Sequence, residues 1–433
     1  MTSFLTSTRT AEEPHVTTVG NPTACAGVRS VWREIDLSYL GTASSEPVIT
    51  PTGSPLRESD PNAKVSTPLP PKRLRWSADD NKTAFLVLAL KGLVLFLAAL
   101  GLQTLFDQNE SWHTLWNRWD ASHYLTLAEK GYTATGEGRF SIVFYPLYPW
   151  LVRAVAFVFQ SYFGAALLVS GAASICAGLL LRRLVALDQS LNVARWAVWF
   201  LFIFPTAYFL HIGYTESLFL ALVLGCLLAA RMQFWALAGI LGALACLTRV
   251  NGLLLVPTLL VEAWLQYRVT RRINWRWLWI AFAGLGFAGY LFLNYRVTGD
   301  PFAFSPIMEE HWYKKIAPPW VGIHEAWTRI FRFNLTEGLF EFIFIVFSFL
   351  CTVWCWIKLR PSYAVWMTLN WFLITSTTFL VSVPRYCLTL FPIFIILARL
   401  AAGRPLAGRI ITATSLFLLA LFAMKFAHGT WAF

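Results

Sequence analysis

Beyond residue 80 the chain alternates long apolar runs with short polar gaps. The runs fall at about 84–106, 143–160, 163–183, 194–210, 214–231, 234–248, 250–268, 278–296, 337–357, 364–383, 386–402 and 407–427. Most approach the ~20 residues that carry a helix across ~30 Å of hydrocarbon. Lipid offers the backbone no hydrogen-bond partner, so runs of this kind predict helices that satisfy their own N–H and C=O groups. The expected fold is an all-α polytopic membrane bundle.

Charge placement sets the expected topology. Basic clusters occupy the gaps: Lys72–Arg75, Arg182-Arg183, Arg271-Arg272 with Arg276, Lys358 with Arg360, and Arg399, Arg404 and Arg409. Loops on the cytoplasmic side carry such an excess of Lys and Arg. All of these clusters fall on one side if 143–160 lies in the outer interface instead of crossing. Arg153 in its middle, and Pro146 and Pro149 at its start, also disfavour a plain span. The reading is then about eleven transmembrane helices with an external juxtamembrane helical loop. It puts 107–142, the turn near Tyr214, the region after Arg249, the loop 297–335 and the turn at Arg385 on the external face.

Composition narrows the function classes. The chain has 433 residues, 57% of them hydrophobic and 13% charged, about half the charged share of a soluble domain. The formal charge of +12 sits in the gaps between apolar runs, which argues against nucleic acid as a partner and for the lipid bilayer. Residues 1–80 differ: they are rich in Ser, Thr and Pro, with seven prolines in 47–71, and are expected to form a disordered cytoplasmic tail ahead of a membrane domain at 81–433. Of the seven cysteines, six lie in apolar stretches and no C-x-x-C occurs, so they read as small buried hydrophobes. His211, His311 and His324 show no ligand spacing, and no metal site is expected.

The polar residues that interrupt this pattern are the candidates for chemistry. Asn117-Arg118-Trp119-Asp120-Ala121-Ser122-His123-Tyr124 begins a short predicted helix that ends at Gly131. Its apolar residues Ala121, Tyr124, Leu125 and Ala128 share one face, so it is expected to lie flat on the membrane with Asp120 at the boundary. Asp120 reads either as an N-cap or as a functional acid. In Phe144-Tyr145-Pro146-Leu147-Tyr148-Pro149 the tyrosines suit a sugar or phosphate contact, or an interfacial aromatic belt. Glu216, in Tyr214-Thr215-Glu216-Ser217, complements a helix dipole or serves function at the membrane edge. Arg249 and Arg385 interrupt apolar stretches at a cost of roughly 2.5–3.5 kcal/mol each on insertion scales. Each therefore calls for a partner, such as an anionic phosphate, or for snorkelling to water.

In this order, Arg118-Trp119-Asp120-Ala121-Ser122-His123-Tyr124, Gly131-Tyr132, the Phe-Tyr-Pro-x-Tyr-Pro block, Tyr214–Phe219, Thr248-Arg249-x-x-Gly252 and Pro384-Arg385-Tyr386 resemble the PIG-V-type mannosyltransferases, which include the GPI mannosyltransferase II enzymes. The resemblance covers about 84–427. It implies a GT-C-like fold and inverting transfer of a sugar, usually mannose, from a polyprenyl- or dolichyl-phosphate donor to a glycan or glycolipid acceptor. It implies Asp120 as the catalytic acid, Arg249 and Arg385 as donor-phosphate contacts, and Arg118, His123, Tyr148, Tyr214, Glu216 and Tyr386 as further substrate-binding residues. The implied location is a bacterial plasma membrane, or the endoplasmic reticulum membrane in a eukaryotic host, with the site on the external or lumenal face. The long N-terminal tail departs from the family pattern. The alternatives are a multi-span transporter or lipid flippase, which would show repeated halves and mid-membrane charges, and a non-catalytic assembly subunit.

Overall fold

The computed structural model describes residues 76–106, 110–332 and 338–433. The expected tail therefore lies outside the described residues except at its end, where the first helix already begins. In chain order the helices are α1 (Ala78–Phe106), α2 (Trp112–Trp116), α3 (Asp120–Lys130), α4 (Leu147–Phe159), α5 (Tyr162–Val185), α6 (Leu191–Phe202), α7 (Glu216–Arg231), α8 (Trp235–Cys246) and α9 (Leu255–Thr270). They continue as α10 (Trp279–Thr298), α11 (Phe304–Glu310), α12 (Pro319–Arg329), α13 (Leu339–Lys358), α14 (Pro361–Thr375), α15 (Val383–Tyr386), α16 (Pro392–Gly403) and α17 (Pro405–His428). Extended pairing among the described residues amounts to one antiparallel bridge, Ile316 to Thr377.

The fold is an all-α membrane bundle. Among the described residues six helices are long and apolar enough to span a bilayer, or up to eight if each of two bent pairs is counted as one span. That is fewer than the eleven expected. Several apolar runs form helices shorter than a span requires, among them α6 with 12 residues, α7 with 16 and α8 with 12. The run 143–160 is not a straight span: the 3₁₀ turn Glu137–Val143 and α4 meet at 114°. Arg153 explains part of this. Its Nε donates to the Ala128 carbonyl at 2.6 Å and its Nη2 to Leu127 and Glu129, so the guanidinium binds three carbonyls at the end of α3 and ties α4 to it.

Helix α7 is the axis of the bundle. Every residue from Phe219 to Ala230 is buried, and the segment 207–217 leading into it is buried too. Two charge networks close one end of the bundle. Asp80 pairs with Arg182 and, at 3.2 Å, with Arg183, joining the start of α1 to the end of α5. Asp188 accepts from Arg231 at 2.6 and 2.7 Å, while Glu262 accepts from Arg360 at 2.7 and 2.9 Å and from Ser362 at 3.1 Å. Arg182, Arg183, Arg231 and Arg360, from the expected basic gaps and the end of α7, are thus each matched to a carboxylate. Five of the described cysteines are buried, as expected of small apolar residues, but Cys176 is exposed.

Helices α8 and α10 come together along a stripe of small residues, as membrane helices do when backbones must approach closely. A Cβ at Gly286 would lie 1.9 Å from the Ala243 carbonyl oxygen, whereas one at Gly284 would meet nothing within 4 Å. We expect Gly286→Leu to lower the thermal unfolding midpoint in detergent, by overpacking worth about 1–3 kcal/mol or more. Gly284→Leu on the same helix should leave the midpoint unchanged.

Candidate active site

The opposite end of the bundle collects the polar residues of the motifs. Helix α3 begins at Asp120, which is its first helical residue and not its cap. Trp119 occupies the N-cap position at φ 48, with no side-chain cap bond. The cap reading of Asp120 is therefore corrected. Its carboxylate turns away from the helix terminus, and Oδ2 accepts a hydrogen bond from Arg385 Nη1 at 2.8 Å. A tryptophan at positive φ is strained. Its ring is held by Phe426 at 5.0 Å and Trp431 at 5.7 Å, so the end of α17 enforces the turn that presents Asp120. The rest of α3 follows the expected pattern. Ala121, Tyr124, Leu125 and Ala128 are buried, and Gly131 ends the helix at φ 84.

Arg385 is shared. Its Nε also lies 3.3 Å from Glu216 Oε1, and the same oxygen accepts from Arg249 Nη1 at 2.6 Å. Arg249 Nη1 reaches Thr215 Oγ1 as well, at 3.1 Å. Glu216 opens α7, where a carboxylate faces the positive end of the helix dipole as well as the two guanidinia. Aromatic faces wall the cluster: Arg385 lies 5.3 to 5.5 Å from the ring centroids of Phe209, Tyr214 and Tyr386, and Arg249 5.5 Å from that of Tyr386. Side-chain exposure rises from 1% at Glu216 through 9% at Arg385 and 15% at Arg249 to 23% at Asp120. Asp120 is thus the carboxylate nearest the open side.

Tyr214, Glu216, Arg249, Arg385 and Tyr386 therefore join Asp120 in one constellation. The other expected contacts stand apart from it. Arg118 points to the end of α17, donating to the Ala427 carbonyl at 2.8 Å and pairing with Glu110 at 2.8 Å; its own carbonyl accepts from the Tyr214 hydroxyl at 3.0 Å. The Tyr148 hydroxyl is occupied in the core by Ser170 Oγ at 2.9 Å and the Ala166 carbonyl at 3.3 Å. His123 stacks on Phe144 and meets Trp312 edge-on, beside the cluster. Partial burial draws its imidazole below the ordinary range, with Asp120 opposing the shift and His311 reinforcing it, so it stands neutral near pH 7. Glu137 is exposed.

Three participants were not singled out from the sequence. Lys314, on the segment between α11 and α12, places Nζ 3.1 Å from the Tyr386 hydroxyl. Thr215 was read only as part of a motif. Glu341, fully buried in the first turn of α13, accepts from the backbone N–H groups of Ser382 at 2.6 Å and Val383 at 2.8 Å. These bonds anchor the start of α15, where Ser382 takes φ 70, and so hold the turn that carries Arg385. The signal for Glu341 was the one applied to Glu216, an acid at the start of an apolar run. Among the described residues, no group of three or more His, Cys, Asp or Glu side chains is placed to hold a metal ion.

No protein-family model matches the chain, and no curated protein does. Solved structures show likeness at low identity. ArnT from Cupriavidus metallidurans bound to undecaprenyl phosphate is 17% identical with a TM-score of 0.46, over 76% of this chain and 61% of that one. Its apo form is 15% identical with a TM-score of 0.48, over 76% and 60%. The Archaeoglobus fulgidus oligosaccharyltransferase in complex with Zn and sulfate is 13% identical with a TM-score of 0.42, over 78% and 53%. The chain thus spans between 53% and 61% of the length of these proteins. Likeness of this degree leaves the activity to be argued from the chemistry of the site.

Removing the charge of Glu216 leaves two buried guanidinia without their shared carboxylate. We expect Glu216→Gln to cost about 3 kcal/mol or more of stability in detergent, the usual penalty for breaking a buried pair from one side. Asp120→Asn, at the more exposed edge, should cost about 1 kcal/mol or less. Equal losses in denaturant unfolding would contradict the burial gradient described above.

Proposed function

We propose that the chain is a membrane glycosyltransferase of GT-C-like architecture, moving a sugar from a polyprenyl- or dolichyl-phosphate donor to a lipid-linked or glycan acceptor. Mannose is the expected sugar, on the motif resemblance to the PIG-V-type enzymes. The observation that carries the proposal is the arrangement of charge in the constellation. Among the described residues Asp120 and Glu216 share the two arginines Arg249 and Arg385, and Lys314 stands beside them on Tyr386, within the field of the buried Glu341. The half-open Asp120 is the one carboxylate of this set that an incoming sugar phosphodiester, itself carrying one negative charge, can replace on Arg385 without leaving the guanidinia unmatched.

Each residue then has a task. Arg385 and Arg249 present fixed donors to a phosphate, and negative charge grows there as the sugar departs, so they stabilise the transition state more than the ground state. An arriving phosphate competes with Asp120 for Arg385 and frees the carboxylate. Asp120 takes the proton of the acceptor hydroxyl as its oxygen bonds to the anomeric carbon, while the bond from that carbon to the phosphate oxygen breaks on the opposite face, giving inversion. Glu216, more deeply buried and held by both arginines, keeps the pair of guanidinia together. Aromatic rings around the site offer apolar faces to a sugar and to the first units of a lipid chain. The polar residues lie at one end of the bundle, which suits a lipid headgroup substrate better than the mid-membrane binding expected of a transporter.

The test is transfer of radiolabelled mannose from polyprenyl-phosphate mannose in membranes that contain native acceptors. Wild type should transfer, and folded Asp120→Asn should fall at least about a hundredfold, the lower range for loss of a positioned base. Equal activity of the two proteins would remove Asp120 from the chemistry. Absence of transfer with mannose and with other sugars would return the transporter reading to the front.

A further inference from the structure

The arginine-rich end of the bundle holds a second feature that the transfer site does not use. Between α6 and α17 lies an open groove of about 680 Å³, lined by Asn192, Arg195, Trp196, Trp199, Arg409 and Leu416, among others. Its floor is apolar and aromatic. Trp199 is fixed there by its Nε1–H, which donates to Thr412 Oγ1 at 3.2 Å. The two guanidinia stand at the end of the groove where α6 and α17 begin, beside the starts of α1 and the end of α5.

The charges there do not cancel. Arg182, Arg183 and Arg195 share Asp79 and Asp80 as partners, with Arg195 3.0 Å from Asp79. Arg195 remains 59% exposed on its side chain despite that pair, so most of its donor surface is open. Arg409 is exposed and has no ion-pair partner among the described residues. Of these guanidinia Arg195 and Arg409 line the aromatic groove, the first half-open beside Asp79 and the second with no ion-pair partner among the described residues. Arginine presents a planar fork that binds phosphate oxygens in pairs, and tryptophan favours the zone where acyl chains meet headgroups. Basic pockets between membrane helices at the cytoplasmic surface are the places where anionic headgroups bind.

We infer that the α6–α17 groove binds an anionic phospholipid, its phosphate on Arg195 and Arg409 and the upper part of an acyl chain along Trp196, Trp199 and Leu416. The occupant is a lipid and not a free phosphate because, beyond the guanidinium end and Asn192, the one polar lining residue, Thr412, already accepts from Trp199, and the remainder offers a surface for hydrocarbon. This site is independent of the transfer reaction and rests only on the chain being a membrane protein. Zwitterionic lipids carry an ammonium that two arginines repel, so the groove discriminates by net headgroup charge.

The experiment uses the full chain in nanodiscs, comparing phosphatidylglycerol with phosphatidylcholine by native mass spectrometry of retained lipid. A photoreactive phosphatidylglycerol analogue maps the contact. Wild type should retain phosphatidylglycerol in preference, and the label should fall on peptides of α6 and α17. The double variant Arg195→Gln/Arg409→Gln should lose about tenfold in that preference. Arg271→Gln/Arg272→Gln, altered at the same end but outside the groove, should keep it. Both double variants should elute as folded monodisperse protein with mannose transfer at the wild-type level. The inference is overturned if wild type shows no preference for the anionic lipid, or if the two double variants lose it equally, which would mean a diffuse surface charge. It is also overturned if the label falls elsewhere, or if residues 1–75 or a second copy of the chain cross-link into the groove in place of lipid.

Discussion

The candidate site depends on one guanidinium that cannot be left alone. Arg385 is 7% exposed, and an arginine in such a place must be matched by negative charge or anionic ligand. The chain supplies Asp120, 265 positions earlier, and Glu216. Satisfying Arg385 therefore pins three distant segments to one point: the start of α3, the start of α7 and the turn of α15. The surrounding structure is arranged to keep them there. Glu341 fixes the backbone ahead of Arg385, Arg153 ties α4 across the end of α3, and the aromatic end of α17 holds Trp119 in its strained turn. The supports differ in kind: Glu341 is a buried carboxylate on two backbone N–H groups, Arg153 is an exposed cation on the carbonyls that end α3, and the hold on Trp119 is aromatic packing.

The two ends of the bundle solve different electrostatic problems. At the arginine-rich end, carboxylates from neighbouring loops match the buried cations, with Glu262 taking Arg360 and Asp188 taking Arg231. Those pairs are closed, with both members largely buried, and read as clamps between helix ends. At the other end Asp120 keeps an exposed side and Lys314 brings an additional cation from a separate segment. A closed pair only stabilises; a cluster with one edge open can exchange a carboxylate for an incoming phosphate. The difference lies in exposure: the carboxylates of the closed pairs are buried, whereas Asp120 keeps an open side next to the arginine it holds.

Much of this was legible in the sequence because membrane proteins make polar residues expensive. Arg249, Arg385 and Glu216 stood out as charges where an apolar run should continue, and the same cost that exposed them drove them together. The segregation of basic gaps from polar motifs predicted two unlike ends, and the bundle has them. The sequence was weaker on geometry. Arg118 sits two residues from Asp120 but points to the end of α17, because neighbours on a turn diverge. Tyr148 shares a motif with interfacial tyrosines but spends its hydroxyl on Ser170. The cap reading of Asp120 failed because the residue ahead of it, Trp119, adopts a conformation that composition does not foretell. An apolar run fixes burial and not helix length: α6, α7 and α8 follow apolar runs but break early at turns, so six to eight spans meet the length criterion where about eleven crossings were expected. Lys314 was hidden in a long polar loop, where a lysine carries no cost and so gives no signal.

The proposed reaction requires a phosphate to displace Asp120 from Arg385. The most direct measurement is an experimental structure of the full chain with a polyprenyl phosphate bound. The phosphate should lie on Arg249 and Arg385 within reach of Lys314, with the Asp120–Arg385 contact opened and Glu216 still on Arg249. A phosphate bound elsewhere, with the 2.8 Å contact between Asp120 and Arg385 intact, would contradict it.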